Sequence, residues 1–152
     1  MGKGVGRGEM DFTFTFQYLS FELSERPTII QKPEPQTVSL KQSLQVRYTC
    51  VAVGDPAPQI TWTHNGMATT SLTRYHTVST PPVADKEGRG FVVNSSLSIF
   101  PLDEISTGNV SCSASVPQAS LQDVEIPSTK ESARLSVLGE FQISTAGLFI
   151  CQ

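Results

Sequence analysis

Short segments of alternating polarity constrain this sequence more than any other feature, because no run of eleven or more residues keeps a 3.6-residue period. Leu44, Val46, Tyr48 and Cys50 alternate with Gln45, Arg47 and Thr49. Ile60 and Trp62 alternate with Gln59, Thr61 and Thr63, and Leu97 and Ile99 stand against Asn94, Ser96 and Ser98. Val110, Cys112 and Ala114 do the same with Asn109, Ser111 and Ser113. Successive side chains of a strand point to opposite faces, so each segment collects its large apolar groups on one side. Four such segments read as half-buried strands of a two-layer core. Cys50, Trp62, Leu97 and Cys112 then point inward, and Asn94 and Asn109 point out.

Turn residues divide the rest. Strand candidates span 35–40, 44–53, 59–64, 73–79, 91–99, 109–116 and 133–138. The turn Gly54-Asp-Pro-Ala-Pro58 separates the second from the third, and Asn65-Gly66 is a strong turn signal after the third. Many short strands with regular turns predict an all-β sandwich. Residues 1–11 are Gly-rich and charged and read as a flexible lead-in; Gly4, Gly6 and Gly8 match no nucleotide-loop spacing. From residue 12 to 23 the pattern alternates again, with Phe12, Phe14 and Phe16 on one face. The apolar side then switches to Leu19, Phe21 and Leu23, which implies a bulge or two short strands. The expected division is 1–26 as an N-terminal segment, 27–138 as the domain and 139–152 as a tail.

At this point the chain resembles a known family. Cys50-Val-Ala-Val-Gly54-Asp-Pro56-Ala-Pro58-Gln-Ile-Thr-Trp62-Thr-His-Asn65-Gly66 is similar to the B–C region of I-set or C2-set immunoglobulin domains. Leu97-Ser-Ile99 with Gly108-Asn-Val-Ser-Cys112 resembles strands E and F, and Arg134-Leu-Ser-Val137 resembles strand G. The spacings of 12 residues from Cys50 to Trp62 and 50 from Trp62 to Cys112 fall in the family's range. The resemblance implies an immunoglobulin-like sandwich of two antiparallel sheets with Greek-key connections. It also implies a Cys50–Cys112 disulfide between the sheets, with Trp62 packed over it. Closing a loop of that length stabilises the fold by roughly 4 kcal/mol in the chain-entropy model. The sequence departs from the family before the second cysteine, where Asp-x-Gly-x-Tyr-x-Cys is usual and Ser106-Thr-Gly108-Asn-Val110-Ser-Cys112 stands instead. The tyrosine corner is therefore expected to be absent, as is the Asp that pairs with an Arg of strand D.

Three cysteines leave Cys151 outside that pair. Gly147-Leu-Phe149-Ile-Cys151 resembles a second F-strand motif, either the remnant of a truncated neighbour or an unrelated tail carrying a free or intermolecular thiol. Tyr18 to Pro27 looks like a last strand and linker of a preceding domain, so the chain is expected to be a piece of a longer tandem array.

Composition excludes several function classes. The 152 residues are 38% hydrophobic and only 16% charged, with a net charge of −3. That leaves no basic footprint for nucleic acid and no cationic run for an anionic membrane. No stretch reaches the roughly 18 apolar residues of a membrane span. The two histidines, His64 and His76, have no Cys or carboxylate at metal-ligand spacing and read as solvent-facing. Asp103-Glu104 read as turn residues. Nucleophile elbow, paired carboxylates and phosphate loop are all missing, so no enzyme, cofactor or metal is expected.

Binding then falls to loops and faces. The long loops are 81–90, with Asp85, Lys86, Glu87 and Arg89, and 117–130. In the second, Leu121, Val124 and Ile126 lie beside Asp123 and Glu125, a composition that suits either a protein contact or an extended hairpin packed on its own sheet. Asn94-Ser-Ser96 and Asn109-Val-Ser111 have the form of N-glycosylation acceptors; the alternative is two ordinary outward asparagines. The expected function is an extracellular or cell-surface module that recognises another protein, homophilically or heterophilically, in an adhesion molecule or receptor. The alternative is a structural domain of an intracellular muscle-type filament protein, kept reduced and bare of glycans.

Overall fold

The alternating segments become ten strands in a computed structural model that describes residues 26–117 and 127–139. In chain order they are β1 (Thr28–Gln31), β2 (Gln36–Ser39), β3 (Val46–Gly54), β4 (Gln59–His64) and β5 (Met67–Ala68). There follow β6 (Tyr75–Ser79), β7 (Val83–Ala84), β8 (Phe91–Ile99), β9 (Gly108–Ser115) and β10 (Ser128–Leu138). One sheet runs β1-β3-β8-β6, with β7 also paired to β8; the other runs β2-β10-β9-β4-β5. Every pair is antiparallel except β2 with β10, which is parallel. The two layers form an all-β sandwich in which β3 lies beside β8 and β4 beside β9, so the chain crosses between sheets.

The first crossing has a local cause. Pro33 and Pro35 have no amide hydrogen to donate, so the ladder of β1 with β3 cannot continue through them. The chain leaves one sheet there and resumes on β10 of the other. Asn65 and Gly66, at φ 52° and 80°, both adopt the left-handed conformation of a two-residue hairpin turn and join β4 to β5. The backbone N–H of Asn65 bonds Asn109 O at 2.8 Å, and its Oδ1 accepts from Asn109 N at 2.9 Å. A Cβ on Gly108 would overlap that carboxamide, which is why glycine stands there.

Cys50 and Cys112 are disulfide-bonded between β3 and β9 at the centre of the core. Trp62 lies opposite Cys112 in the ladder, and its indole N–H reaches across the layers to Ser95 Oγ at 3.0 Å. Ser95 in turn lies opposite Cys50. Tyr48, Leu97, Ile99, Val110 and Leu135 fill the space around them with almost no exposure. Burying a side chain of this size contributes about 1.5–3 kcal/mol, so these residues supply much of the drive to form the layers.

One inward and two outward assignments from the alternation need correction. Leu44 is 47% exposed, because β3 starts only at Val46. Ser43 Oγ bonds Gln45 at both its N (3.2 Å) and O (2.9 Å), and this local turn holds Leu44 outside the ladder. On the outer faces Ser96 and Ser111 are buried rather than solvated. The Arg47 guanidinium lies over Ser96 at 3.0 Å, and Ser111 pairs with Ser132 at 2.7 Å. The strand predicted from residue 133 starts instead at Ser128, since its pairing with β9 continues back to Ser115.

Candidate recognition surfaces

The connection from β8 to β9 closes one end of the sandwich, and it corrects two expectations. Val110 is buried where the family's tyrosine would stand. The pairing of Asp and Arg, however, is present. Arg74, just before β6, donates through Nη2 to Asp103 Oδ2 at 3.1 Å and through Nη1 to Asp103 Oδ1 at 3.3 Å. The carboxylate is supplied three positions upstream of Ser106, because the 3-10 turn Glu104–Ser106 folds it back. Ser106 Oγ donates to Asp103 Oδ1 at 2.6 Å and accepts from Asp103 N at 3.1 Å and from Arg74 Nη1 at 3.3 Å.

His64, read from sequence as solvent-facing, is only 4% exposed and joins this network. It is the last residue of β4, opposite Val110, so it carries the inward parity of Trp62. Its Nδ1 lies 2.8 Å from Tyr75 Oη and its Nε2 2.8 Å from Ser106 O. The carbonyl can only accept, so Nε2 carries the hydrogen and Nδ1 accepts from the tyrosine hydroxyl. Burial lowers the His64 pKa, partly opposed by the Ser106 carbonyl, and the imidazole is held neutral. Asp103 is held below the usual carboxylate range, first by the Ser106 hydroxyl and then by Arg74. These polar groups face one another and join the two sheets.

The connection from β7 to β8 stands at the opposite end. Between β7 and β8 the loop anticipated at 81–90 is a hairpin clamped by one ion pair. Arg89 Nε donates to Asp85 Oδ2 at 2.8 Å, Arg89 Nη2 to Oδ1 at 3.3 Å, and Arg89 N to Oδ2 at 3.2 Å. Asp85 N also bonds Gly90 O at 2.8 Å, and Gly88 N bonds Asp85 O at 3.1 Å. Gly90 has φ 114°, and a Cβ there would run into the backbone of Gly54, so the hairpin sits directly on the turn between β3 and β4. Lys86, Glu87 and Arg89 are exposed at its tip, beside Phe91 at 40% exposure. The segment carrying Leu121, Asp123, Val124, Glu125 and Ile126 lies outside the described residues, as do residues 12–23 and Cys151. Its flanks, Ser115 and Ser128, pair with each other, and Ser115 also with Gln59, at this same end.

The two outer faces differ in chemistry. On the β2-β10-β9-β4-β5 sheet, Thr61, Ser113 and Lys130 form one transverse row, and Thr63, Ser111 and Ser132 the next. Exposed Asn109 stands opposite Arg134 at the end of that face. On the other sheet Val53, Val92 and Val83 form a row, and Val51 stands opposite exposed Asn94. His76 is exposed on β6. Among the described residues no helix is long and apolar enough to cross a membrane.

Comparison with known proteins agrees with this architecture. A family model described as "Immunoglobulin domain" matches residues 26–115. "Cell adhesion molecule-related/down-regulated by oncogenes" of Xenopus laevis is 38% identical over 58 residues, which are 38% of this chain and 4% of that protein. The match therefore spans a small fraction of that relative's length.

Proposed function

The chain belongs to the immunoglobulin domain family, and from that premise we propose that it is an extracellular recognition module of a cell-surface protein, acting by protein contact and not by catalysis. One observation carries the reading. The hairpin clamped by Asp85 and Arg89 presents Lys86, Glu87 and Phe91 in a fixed geometry at the end of the sandwich opposite the β8–β9 connection. A loop already held in one shape loses little entropy on binding; Phe91 and Arg89 supply the aromatic and guanidinium groups enriched at interface centres, with Lys86 and Glu87 as a charged rim. The disulfide supports an oxidising compartment. Both acceptor asparagines are exposed, which supports their use as glycan sites in a secretory route. The similarity to an adhesion-related protein favours a role in adhesion or surface reception, with a second copy or another protein as partner.

The test uses the full chain secreted from animal cells behind an added leader. Non-reducing peptide mapping should show Cys50 joined to Cys112. Beads coated with the chain should then cluster with one another or bind cell surfaces. Replacing Lys86, Glu87 and Phe91 with alanine should abolish that binding, while Thr61→Ala with Ser113→Ala on the hydroxyl-rich face should leave it intact. Folded protein with reduced cysteines, or binding indifferent to the hairpin, would defeat the reading.

A further inference from the structure

An exposed apolar sheet face next to an edge strand invites aggregation unless something covers it. One end of the outer face of the β1-β3-β8-β6 sheet, around Val92, is such a surface, whereas the row of Arg47, Ser98 and His76 makes the other end polar. Val78 is 60% exposed and Val83 63%, while Val51 and Val92 are half-buried. Ladder register places them around a single residue. Asn94 lies opposite Val51, two positions along β8 from Val92. Val53 and Val83 flank Val92, and Val78 stands opposite Ser96, the next outward residue of β8. Directly opposed side chains are about 5 Å apart and diagonal ones about 7–8 Å, so Val51, Val78, Val83 and Val92 lie within one sugar's reach of Asn94, while Val53 is already buried by the protein.

Asn94 is also the acceptor of Asn94-Ser95-Ser96. Its backbone is fixed by Thr80, which donates its N–H to Asn94 O at 2.8 Å and accepts from Asn94 N through Oγ1 at 3.1 Å. Among the described residues its carboxamide makes no hydrogen bond, and it faces solvent. The geometry points to an N-linked glycan on Asn94 as the cover of the valine face. A pyranose ring has a C–H face and a hydroxyl rim; laid on valines it removes apolar surface from water while keeping the outside soluble. Asn109 stands on the hydroxyl-rich face, where a glycan has no apolar surface to cover. Protein contact then falls to the tip of the β7–β8 hairpin, which projects beyond the covered Val83 and Val92.

The inference rests on the extracellular reading above, and the experiment separates the two. The full chain, secreted from animal cells, is mapped without reduction and then treated with a peptide N-glycosidase. Cys50–Cys112 cross-linked protein should carry glycan mass at Asn94, converted to Asp on release. Asn94→Gln, or enzymatic release from the folded protein, should increase the fluorescence of an apolar dye and shift sedimentation from monomer toward larger species. Asn109→Gln should do neither, and adding Val78→Ser and Val83→Ser to Asn94→Gln should restore the monomer. A bare Asn94 in cross-linked protein overturns the inference and leaves the extracellular reading standing. Equal behaviour of the Asn94 and Asn109 variants overturns the inference too, whereas reduced cysteines in folded secreted protein overturn both.

Discussion

The Arg74–Asp103 and Arg89–Asp85 pairs lie at opposite ends of the sandwich, the first joining residues 29 apart in sequence and the second only four apart. Both are bidentate, and both close a connection to β8. Around the first, the protein places Ser106, buried His64 and Tyr75, so the pair belongs to a network that reaches from β6 to β4 across the two sheets. Around the second stands only its own hairpin, with Glu87 Oε2 3.2 Å from Arg89 as a further exposed contact. The same two residue types thus hold the fold together at one end and shape a surface at the other. Surroundings, not the ion pair, decide which: both pairs are partly exposed, but only Arg74 and Asp103 share their donors and acceptors with groups from other strands, whose loss would orphan several partners at once.

His64→Ala should break the comparison most strongly. It removes a buried ring and strands the Ser106 carbonyl and the Tyr75 hydroxyl, at a cost of about 2–4 kcal/mol. Urea denaturation should show a lower midpoint with an unchanged slope. A loss no larger than that of a surface substitution would mean that the corner does not depend on the imidazole. Asp103→Ala comes next, expected to cost about 1–2 kcal/mol through the lost turn and the uncompensated guanidinium. A double-mutant cycle with Arg74→Ala should return a favourable coupling, and the same cycle on Asp85 and Arg89 a smaller one.

Acid should reveal the same asymmetry. His64 has a lowered pKa in the folded state, so the unfolded chain binds its proton more readily. Its contribution is complete above about pH 6.5, the unfolded value, and declines as pH falls through that value toward the folded one. Asp103, also lowered, contributes fully above about pH 3.9 and loses its contribution as pH falls toward its depressed value. Urea midpoints measured from pH 8 to 3 should fall in two stages; His64→Phe should remove the upper stage and Asp103→Asn should shrink the lower, to which Asp85, also held low by Arg89, contributes. A single stage unaffected by His64→Phe would show that the imidazole titrates as it does in water.

Arg89→Ala should have the smallest effect on stability, within the scatter of replicate melts. Its effect should appear instead as faster tryptic cleavage after Lys86 and weaker binding by the hairpin end. A clear fall in melting temperature would make the hairpin part of the framework and sharpen the comparison in the other direction.

Much of the framework was legible in the sequence because strand parity is a local property. Ile60 with Trp62, Leu97 with Ile99, and Val110 with Cys112 and Ala114 declared their faces through neighbours two residues away. The predicted bounds of β4 and β8 agree with the structure, and those of β3 and β9 differ by one or two residues. β1, cut short by its prolines, and the two-residue β5 and β7 were too brief for any period to register. The hairpin at 81–90 was visible as a charged loop, but not the clamp that orders it.

Parity could also have marked His64, which sits two positions after Trp62 on the inward side; its polarity led to the solvent-facing reading. Absence of an Asp from the usual motif concealed Asp103, although a turn of three residues is enough to return a carboxylate to the same place. The sequence alone determined an all-β sandwich with a cysteine–tryptophan–cysteine core, since that information lies in spacing along the chain. Only the tertiary structure decided which polar groups are buried, which face one another and which valines surround Asn94. Those partners come from different strands, and a residue's own identity carries no record of what the opposite strand will bring to it.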